Sequence, residues 1–206
     1  LIPAILRIGI SAVALYDRDG KEVIRGGQFV NPQLAVSLNV ADRAQLIWNN
    51  GYLLRGMVPI EKNGQRVGTV LAETSLPSIA AMFTTASQTA RTRELALCAA
   101  SGKHHMDCFP LTLTPRVLKV PKRGAQGVPL PMVNALEGRK GVIQAYDYRQ
   151  QQVVAAYSPV GNLGLGMVLK LDWNEFYEPV WGQLRYLLPL MAALLGVARK
   201  GRLRTM

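Results

Sequence analysis

The sequence predicts an α+β chain of two tandem modules, each built on an antiparallel sheet, joined by a helix and followed by a C-terminal transmembrane helix. Three observations predict it. First, two stretches repeat one order of signals: apolar run, Gly-Lys turn, middle section, closing hairpin. The first copy runs from Ala14 to Lys21, then Pro59-Ile60 and Gly68 to Leu71; the second runs from Ala96 to Lys103, then Pro159-Val160 and Gly166 to Leu169. An internal repeat of this kind fixes the fold class before any single element does. Second, a helix-type stretch from Pro77 to about Thr89 separates the copies. Third, the apolar stretch Tyr186 to Ala198 is followed by Arg199, Lys200, Arg202 and Arg204.

In the first copy, Leu1 to Leu15 reads as the end of a helix followed by a strand. The chain is therefore expected to be a fragment whose natural N-terminus lies upstream. Ile10 to Tyr16 is rich in branched and aromatic residues, as strands are. Asp17-Arg18-Asp19-Gly20 is a turn, with Gly20 supplying the left-handed position. Lys21 to Arg25 resumes as a strand that Gly26-Gly27 ends. Residues 28–44 are mixed and predict short helical turns. Ala44 to Trp48 and Tyr52 to Ile60 read as strands about the tight turn Asn49-Asn50-Gly51. Glu61 to Gly64 turns into a last strand, Gln65 to Thr74. Ser75 is placed as the N-cap of the joining helix, with Pro77 tolerated in its first turn.

In the second copy, Arg93 to Cys98 and Met106 to Leu113 form a hairpin about Ser101-Gly102-Lys103. Pro110 to Pro131 holds five of the chain's twelve prolines and reads as an extended loop. It accounts for the unequal spacing of the copies. Met132 to Glu137 suits a short helix. The strands Gly141 to Tyr148, Gln152 to Pro159 and Leu165 to Leu171 close the module, with Gly161 to Gly164 turning the last hairpin. Asp172 and Glu175 are spaced as a capping box for the helix that follows. The modules are thus set at 1–76 and 93–172, with 77–92 as the joining helix, 173–198 as the outgoing and membrane helix, and 199–206 as a basic cytoplasmic flank.

The length of that last helix decides how it can be used. Tyr186 to Ala198 is 13 residues, about 20 Å at ~1.5 Å per residue. Counting from Trp181, with Arg185 turned outward, gives about 27 Å by the same rise. A membrane span needs about 30 Å. The aromatic residues ahead of the run and the basic cluster behind it favour the crossing; the plainer reading is an amphipathic helix with a basic tail.

The 24 basic and 13 acidic residues leave a net charge of +11. Four of the basic residues sit in the last eight positions, and the rest are scattered. There is no basic helix face with stacking aromatics, so nucleic-acid binding is not expected. There is no nucleophile–base spacing to argue from, no phosphate-cradling glycine loop and no HExxH, so neither an enzyme nor a cofactor is expected.

Several segments together resemble one family. They are Cys108-Phe109-Pro110, Leu130-Pro131-Met132, Ala135 to Gly138, Tyr146 to Arg149, Ala156 to Val160, Gly164 to Asp172 and Glu175 to Val180. The chain is similar to the double Cache sensor region, two PAS-like modules in tandem, of bacterial membrane signalling proteins. These include diguanylate cyclases and cyclic-di-GMP phosphodiesterases, histidine kinases of two-component systems, and chemoreceptors. The resemblance implies a periplasmic ligand-sensing receptor region anchored in the inner membrane, dimeric through its helices. It also implies signal transduction through the C-terminal helix to a cytoplasmic output domain absent from this chain. The motif of the amino-acid-binding subset is not found, so the small-molecule ligand is left unnamed. A non-signalling cell-envelope interaction module is the alternative.

Ligand candidates follow from the need for aromatic walls and a few convergent polar groups. In the first module they are Trp48, Tyr52, Arg55 and Glu73; in the second, Tyr146, Asp147, Tyr148, Arg149 and Tyr157. For each, the plain alternative is core packing or a solvated strand face. Cys98 and Cys108 sit on opposite arms of the hairpin, within bridging reach if the register holds, and a periplasmic setting favours oxidation. A zinc site with His104 or His105, or free thiols, are the rival readings, although the spacing matches no standard zinc pattern.

Overall fold

The computed structural model describes residues 9–40, 43–88, 90–116 and 118–203. Among these residues twelve strands form two six-stranded antiparallel sheets. The first holds β1 (Ile10–Asp17), β2 (Glu22–Gly27), β3 (Leu34–Ser37), β4 (Arg43–Trp48), β5 (Tyr52–Lys62) and β6 (Gln65–Ser75), in the order β2-β1-β6-β5-β4-β3. The second holds β7 (Glu94–Ser101), β8 (His105–Cys108), β9 (Leu118–Pro121), β10 (Gly141–Tyr146), β11 (Gln152–Pro159) and β12 (Leu165–Asp172), in the order β10-β11-β12-β7-β8-β9. Helix α1 (Pro77–Gln88) joins the sheets, α2 (Pro131–Leu136) lies on the second, and α3 (Trp173–Leu203) leaves it.

Local chemistry sets the hairpins. The Asp17 carboxylate accepts the N–H groups of Asp19 and Lys21 at 3.0 and 2.8 Å, and Gly20 takes a φ of +82°. Gly27 has a φ of +74°, and a Cβ there would lie 2.2 Å from the Ser11 carbonyl oxygen. That close approach lets the end of β2 lie against β1, and no other residue fits it.

The middle strand of the second sheet is buried on both faces. On β7, Ala96 and Cys98 face α2 and the 111–130 segment, with Met132, Ala135, Val153 and Val168. Leu95, Leu97 and Ala99 face the other way, into a cluster with Tyr52, Phe83 and Phe109. Tyr52 stacks on Phe83 at 5.2 Å and lies 5.4 Å from Phe109, so one aromatic group ties the first sheet, α1 and the second sheet together. Each aromatic buried here contributes roughly 1.5–3 kcal/mol. A backbone bond from Asn39 N–H to the Leu163 carbonyl, 3.0 Å, adds a polar tie.

Several expectations need correction. Among the described residues of 28–44 there are no helical turns; Leu34–Ser37 pairs with β4 as an edge strand, because its alternation puts Val36 into the core. Ser75 does not cap α1; it ends β6, opposite Leu53. The hairpin arm ends at Cys108, not Leu113, and the proline-rich segment carries β9, paired with β8. Asp172 and Glu175 form no capping box: the Asp172 N–H goes to Thr92 Oγ1 at 3.1 Å. The helix expected at the start of the chain falls on residues 1–8, outside the described residues.

The transmembrane helix is also corrected. Helix α3 exists, but among the described residues no helix is long and apolar enough to cross a membrane. Gln183 and Arg185 break the apolar run, and Pro179 and Pro189 sit inside the helix. The α3 surface from Val180 to Leu195 is nevertheless exposed and mostly apolar. Val180, Leu184, Leu187, Met191 and Leu194 recur at spacings of four and three, the spacing of a heptad seam. Both prolines and Arg185 fall off that seam. The side chains of the basic flank, 199–206, lie outside the described residues.

Candidate functional site

The densest polar chemistry lies inside the second sheet. Lys170 on β12 stands directly opposite Glu94 on β7. Its ammonium, 4% exposed, meets the Glu94 carboxylate at 2.8 Å and also binds the Asp147 carboxylate. The Tyr148 ring lies under the same ammonium, 4.1 Å from it. Tyr148 donates its hydroxyl to Glu94 at 3.2 Å. The Leu113 N–H donates to the other oxygen of Glu94 at 3.0 Å. Thr114 Oγ1 lies 3.0 Å from the Tyr148 hydroxyl. Burial pushes the Tyr148 phenol up to about 12, aided by the Glu94 charge. Burial also pushes the Asp147 carboxyl upward, but Lys170, Arg149 and the Gln151 N–H together outweigh it and hold the group below the usual carboxylate range.

A chain of contacts runs outward from Asp147. Arg149 Nε donates to Asp147 at 2.7 Å, and its Nη2 binds Asp172, the last strand residue before α3. Glu175 on the first turn of α3 accepts the N–H groups of Arg91 and Thr92, both at 2.8 Å, and the Thr92 hydroxyl at 2.6 Å. Hydrogen bonds, that from the Thr92 hydroxyl foremost, hold the Glu175 carboxyl below its ordinary value against the opposing effect of burial. The start of α3 is therefore fastened both to the β10–β11 turn and to the segment leading from α1 into β7.

A cavity and a groove adjoin these groups, and a larger apolar groove lies elsewhere in the fold. A small cavity of about 40 Å³ lies between Lys170, Tyr148 and the apolar core around Cys98 and Met132. A groove of about 370 Å³ runs between β10 and residues 124–130, lined by Val128, Ile143, Gln144, Tyr146, Asp147 and Gln152. Asp147 borders both, so it connects the surface groove to the buried ammonium. An apolar groove of about 580 Å³ lies between the first sheet, α1 and the 160–167 hairpin.

The expected ligand residues have varied placements. Trp48 and Tyr52 pack edge-to-face at 4.9 Å in the core between the sheets. Burial pushes the Tyr52 phenol well above its ordinary range, and its hydroxyl has no hydrogen-bond partner among the described residues. Arg55 and Glu73 face each other across β5 and β6, at 2.7 Å, and both bind Val30. Asp147, Tyr148 and Arg149 join the buried network. Tyr146 is half exposed on the groove, and Tyr157 packs beside the α2 core. Cys98 and Cys108 are opposite each other and bonded as a disulfide, which removes both thiols from a zinc site. The sequence reading missed Glu94, Lys170, Thr92 and Thr114. One signal was available: Lys170 shares the strand face of Gly166 and Val168, so period-two alternation aims it at the core.

Neither a family model nor a curated protein matches the sequence. Solved structures do match the fold. The extracellular domain of rpHK1S-Z16, a protein assigned as a histidine kinase, aligns over 84% of this chain and 76% of its own at 13% identity and a TM-score of 0.51. The periplasmic sensory domain of the Campylobacter jejuni chemoreceptor Tlp1 aligns over 82% and 75% at 13% identity and a TM-score of 0.46. The ligand-binding domain of the Pseudomonas aeruginosa PAO1 amino-acid chemoreceptor PctC, solved with GABA, aligns over 82% and 76% at 14% identity and a TM-score of 0.44. The chain has the two-sheet fold of an extracytoplasmic sensory domain, as the double Cache resemblance implies.

Proposed function

We propose that this chain is the ligand-sensing region of a bacterial signal-transduction receptor, placed outside the cytoplasm, with α3 as its output element. Residues 10–75 and 94–172 act as two sensor modules, and α3 carries their state to an output domain. The observation that carries the reading is the position of Asp147. It borders the 370 Å³ groove and is tied through Arg149 to Asp172, the residue preceding α3. A ligand that reaches Tyr146 and Asp147 alters the same carboxylate that anchors Arg149. It shifts α3 by the difference in its affinity for the two arrangements, and by no more than that. The reading is of a binding module rather than an enzyme: the buried carboxylates Glu94 and Asp147 are held in ion pairs with Lys170. The α3 seam suits pairing of two copies, which would carry a displacement of one helix to the other.

The test is a thermal-shift screen of the whole chain against metabolites, followed by hydrogen exchange on 172–178. A compound at ~100 times its dissociation constant adds about 2.7 kcal/mol of stability. It should also change exchange in the first turn of α3. In Arg149→Met the stabilisation should persist while the change at α3 is lost. Ligands that stabilise the chain yet leave α3 unchanged in the parent protein would refute the transmission route.

A further inference from the structure

The two sheets have four edges, and three of them are blunted. β3 has four residues, and β9 has four with Lys119 and Pro121 among them. β2 carries the Glu22–Arg25 ion pair and ends in Gly26-Gly27. Short strands, charges and proline are the ordinary protections against strand addition. β10 has none of them. It runs six residues, Gly-Val-Ile-Gln-Ala-Tyr, without charge or proline, and exposes Val142 at 70%, Tyr146 at 50% and Ile143 at 39%.

β10 pairs with β11 on one side only. Its alternate N–H and C=O groups therefore point out of the sheet. Among the described residues, no backbone bond joins 142–145 to any group outside β11. The 370 Å³ groove lies beside this free edge, with Ile143, Gln144, Ala145 and Tyr146 all on its wall. Four consecutive residues on one wall mean that the groove follows the edge rather than one face. Its far side is apolar at Val128, Pro129 and Leu130, with Gln126 and Gln152 at the rim. At the start of β10, Lys140 is exposed and makes no ion pair among the described residues.

We infer that β10 is a strand-addition site for an extended peptide segment of a partner protein. The segment would carry apolar side chains at alternate positions and acidic residues at the end beside Lys140. A row of outward amide groups is matched by another extended backbone, and the groove takes that strand's alternate side chains. A second copy fits less well. Edge-to-edge pairing centred on Ile143 and Gln144 sets Lys140 opposite Asp147, whose carboxylate already serves Lys170 and Arg149. Two chains of net charge +11 also repel. The inference rests on the sensor reading of the groove and names its class of occupant.

The experiment uses the whole chain and an array of fluorescein-labelled peptides in which valine alternates with threonine, flanked by aspartate and glutamate or by lysine and arginine. Fluorescence anisotropy should show saturable binding, about tenfold or more tighter for the acidic flanks, which is ~1.4 kcal/mol. Methylating alternate peptide nitrogens should weaken it at least as much. So should Ile143→Glu, whose folding is checked by its melting curve. Hydrogen exchange should show protection of 141–146 by the best peptide. Equal binding of methylated peptides, or no binding by any member, would overturn the inference. So would self-association abolished by Ile143→Glu, since a second copy would then hold the edge. A metabolite that moves α3 while every peptide fails would sink this inference and leave the sensor reading intact. Peptide binding that leaves α3 unchanged would do the reverse.

Discussion

Replacing Lys170 by methionine tests the buried network most directly. The change keeps volume and strand fit but removes a charge that is 4% exposed, between carboxylates whose side chains are 0% and 3% exposed. Breaking a buried ion pair from one side costs about 3–5 kcal/mol, since it leaves uncompensated charge in the interior. The two carboxylates do not suffer equally. Asp147 keeps Arg149 and the Gln151 N–H. Among the described residues, Glu94 keeps the Tyr148 hydroxyl and the Leu113 N–H. The loss should therefore fall on Glu94 and come to about 3 kcal/mol at pH 7, a large share of a typical 5–15 kcal/mol.

The pH dependence gives the decisive sign. In the parent chain the Asp147 carboxyl is held below its ordinary value. Its contribution is present above the unfolded value, about 3.9, and is lost as pH falls through the depressed folded value. In Lys170→Met the buried Glu94 carboxylate is left without its cation, so the deficit is the cost of an uncompensated buried charge, which acid neutralises. The gap between parent and variant should narrow steadily from pH 7 to pH 4 in urea unfolding. Adding Glu94→Gln should restore much of the stability at pH 7, because the pair is coupled. A deficit under about 1 kcal/mol at pH 7, or one that does not change with pH, would mean that the carboxylates are hydrated and that Lys170 does not hold a buried charge in place.

Three further expectations follow from the packing. Tyr52→Phe removes a buried hydroxyl with no partner among the described residues, so urea unfolding should show a gain of up to about 1 kcal/mol; a loss would point to a bond the hydroxyl makes to water. Replacing Cys98 and Cys108 together by alanine opens a cross-link spanning ten residues and should cost about 2–3 kcal/mol by loop entropy, read from non-reducing denaturation of both forms. Leu187→Glu with Met191→Glu puts charge on the α3 seam; sedimentation should then show monomer where the parent chain self-associates, with the melting of the two sheets unchanged.

What was legible in the sequence is the part fixed by local chemistry. The Asp17–Gly20, Asn49–Gly51 and Gly161–Gly164 turns, the strands they connect and the joining helix all follow from residues a few positions apart. What was missed depends on partners far along the chain. Thr92 and Glu175 meet across 83 positions, and nothing local distinguishes that arrangement from a capping box. Leu34–Ser37 is too short to show a period, and β9 hides among prolines because an edge strand can carry them. Trp48 and Tyr52 looked like the walls of a pocket, yet they fill the space between the sheets, since an aromatic pair satisfies either role equally in sequence. Asp147, Tyr148 and Arg149, read from the sequence as ligand candidates, stand in one polar network, but its buried members Glu94 and Lys170 lie 53 and 23 positions from Asp147.

The two ties on α3 bear on how such a molecule can report a state. If only the β10–β11 turn held the helix, a change at Asp147 could move it without reference to the first sheet. If only the 91–92 segment held it, the reverse would apply. The Thr92 hydroxyl donates to Glu175 and accepts the Asp172 N–H, and Asp172 also takes Arg149. A displacement of α1 and a displacement of the β10–β11 turn therefore converge on one short stretch, Asp172 to Glu175. Neither can alter that stretch without straining bonds to the other. The helix position depends on both halves together, and a ligand at one groove must work against the packing of the other. Exchange rates at Asp172 to Glu175 should consequently respond to Thr92→Val and Arg149→Met in a non-additive way. Additive effects would show that the two ties act independently.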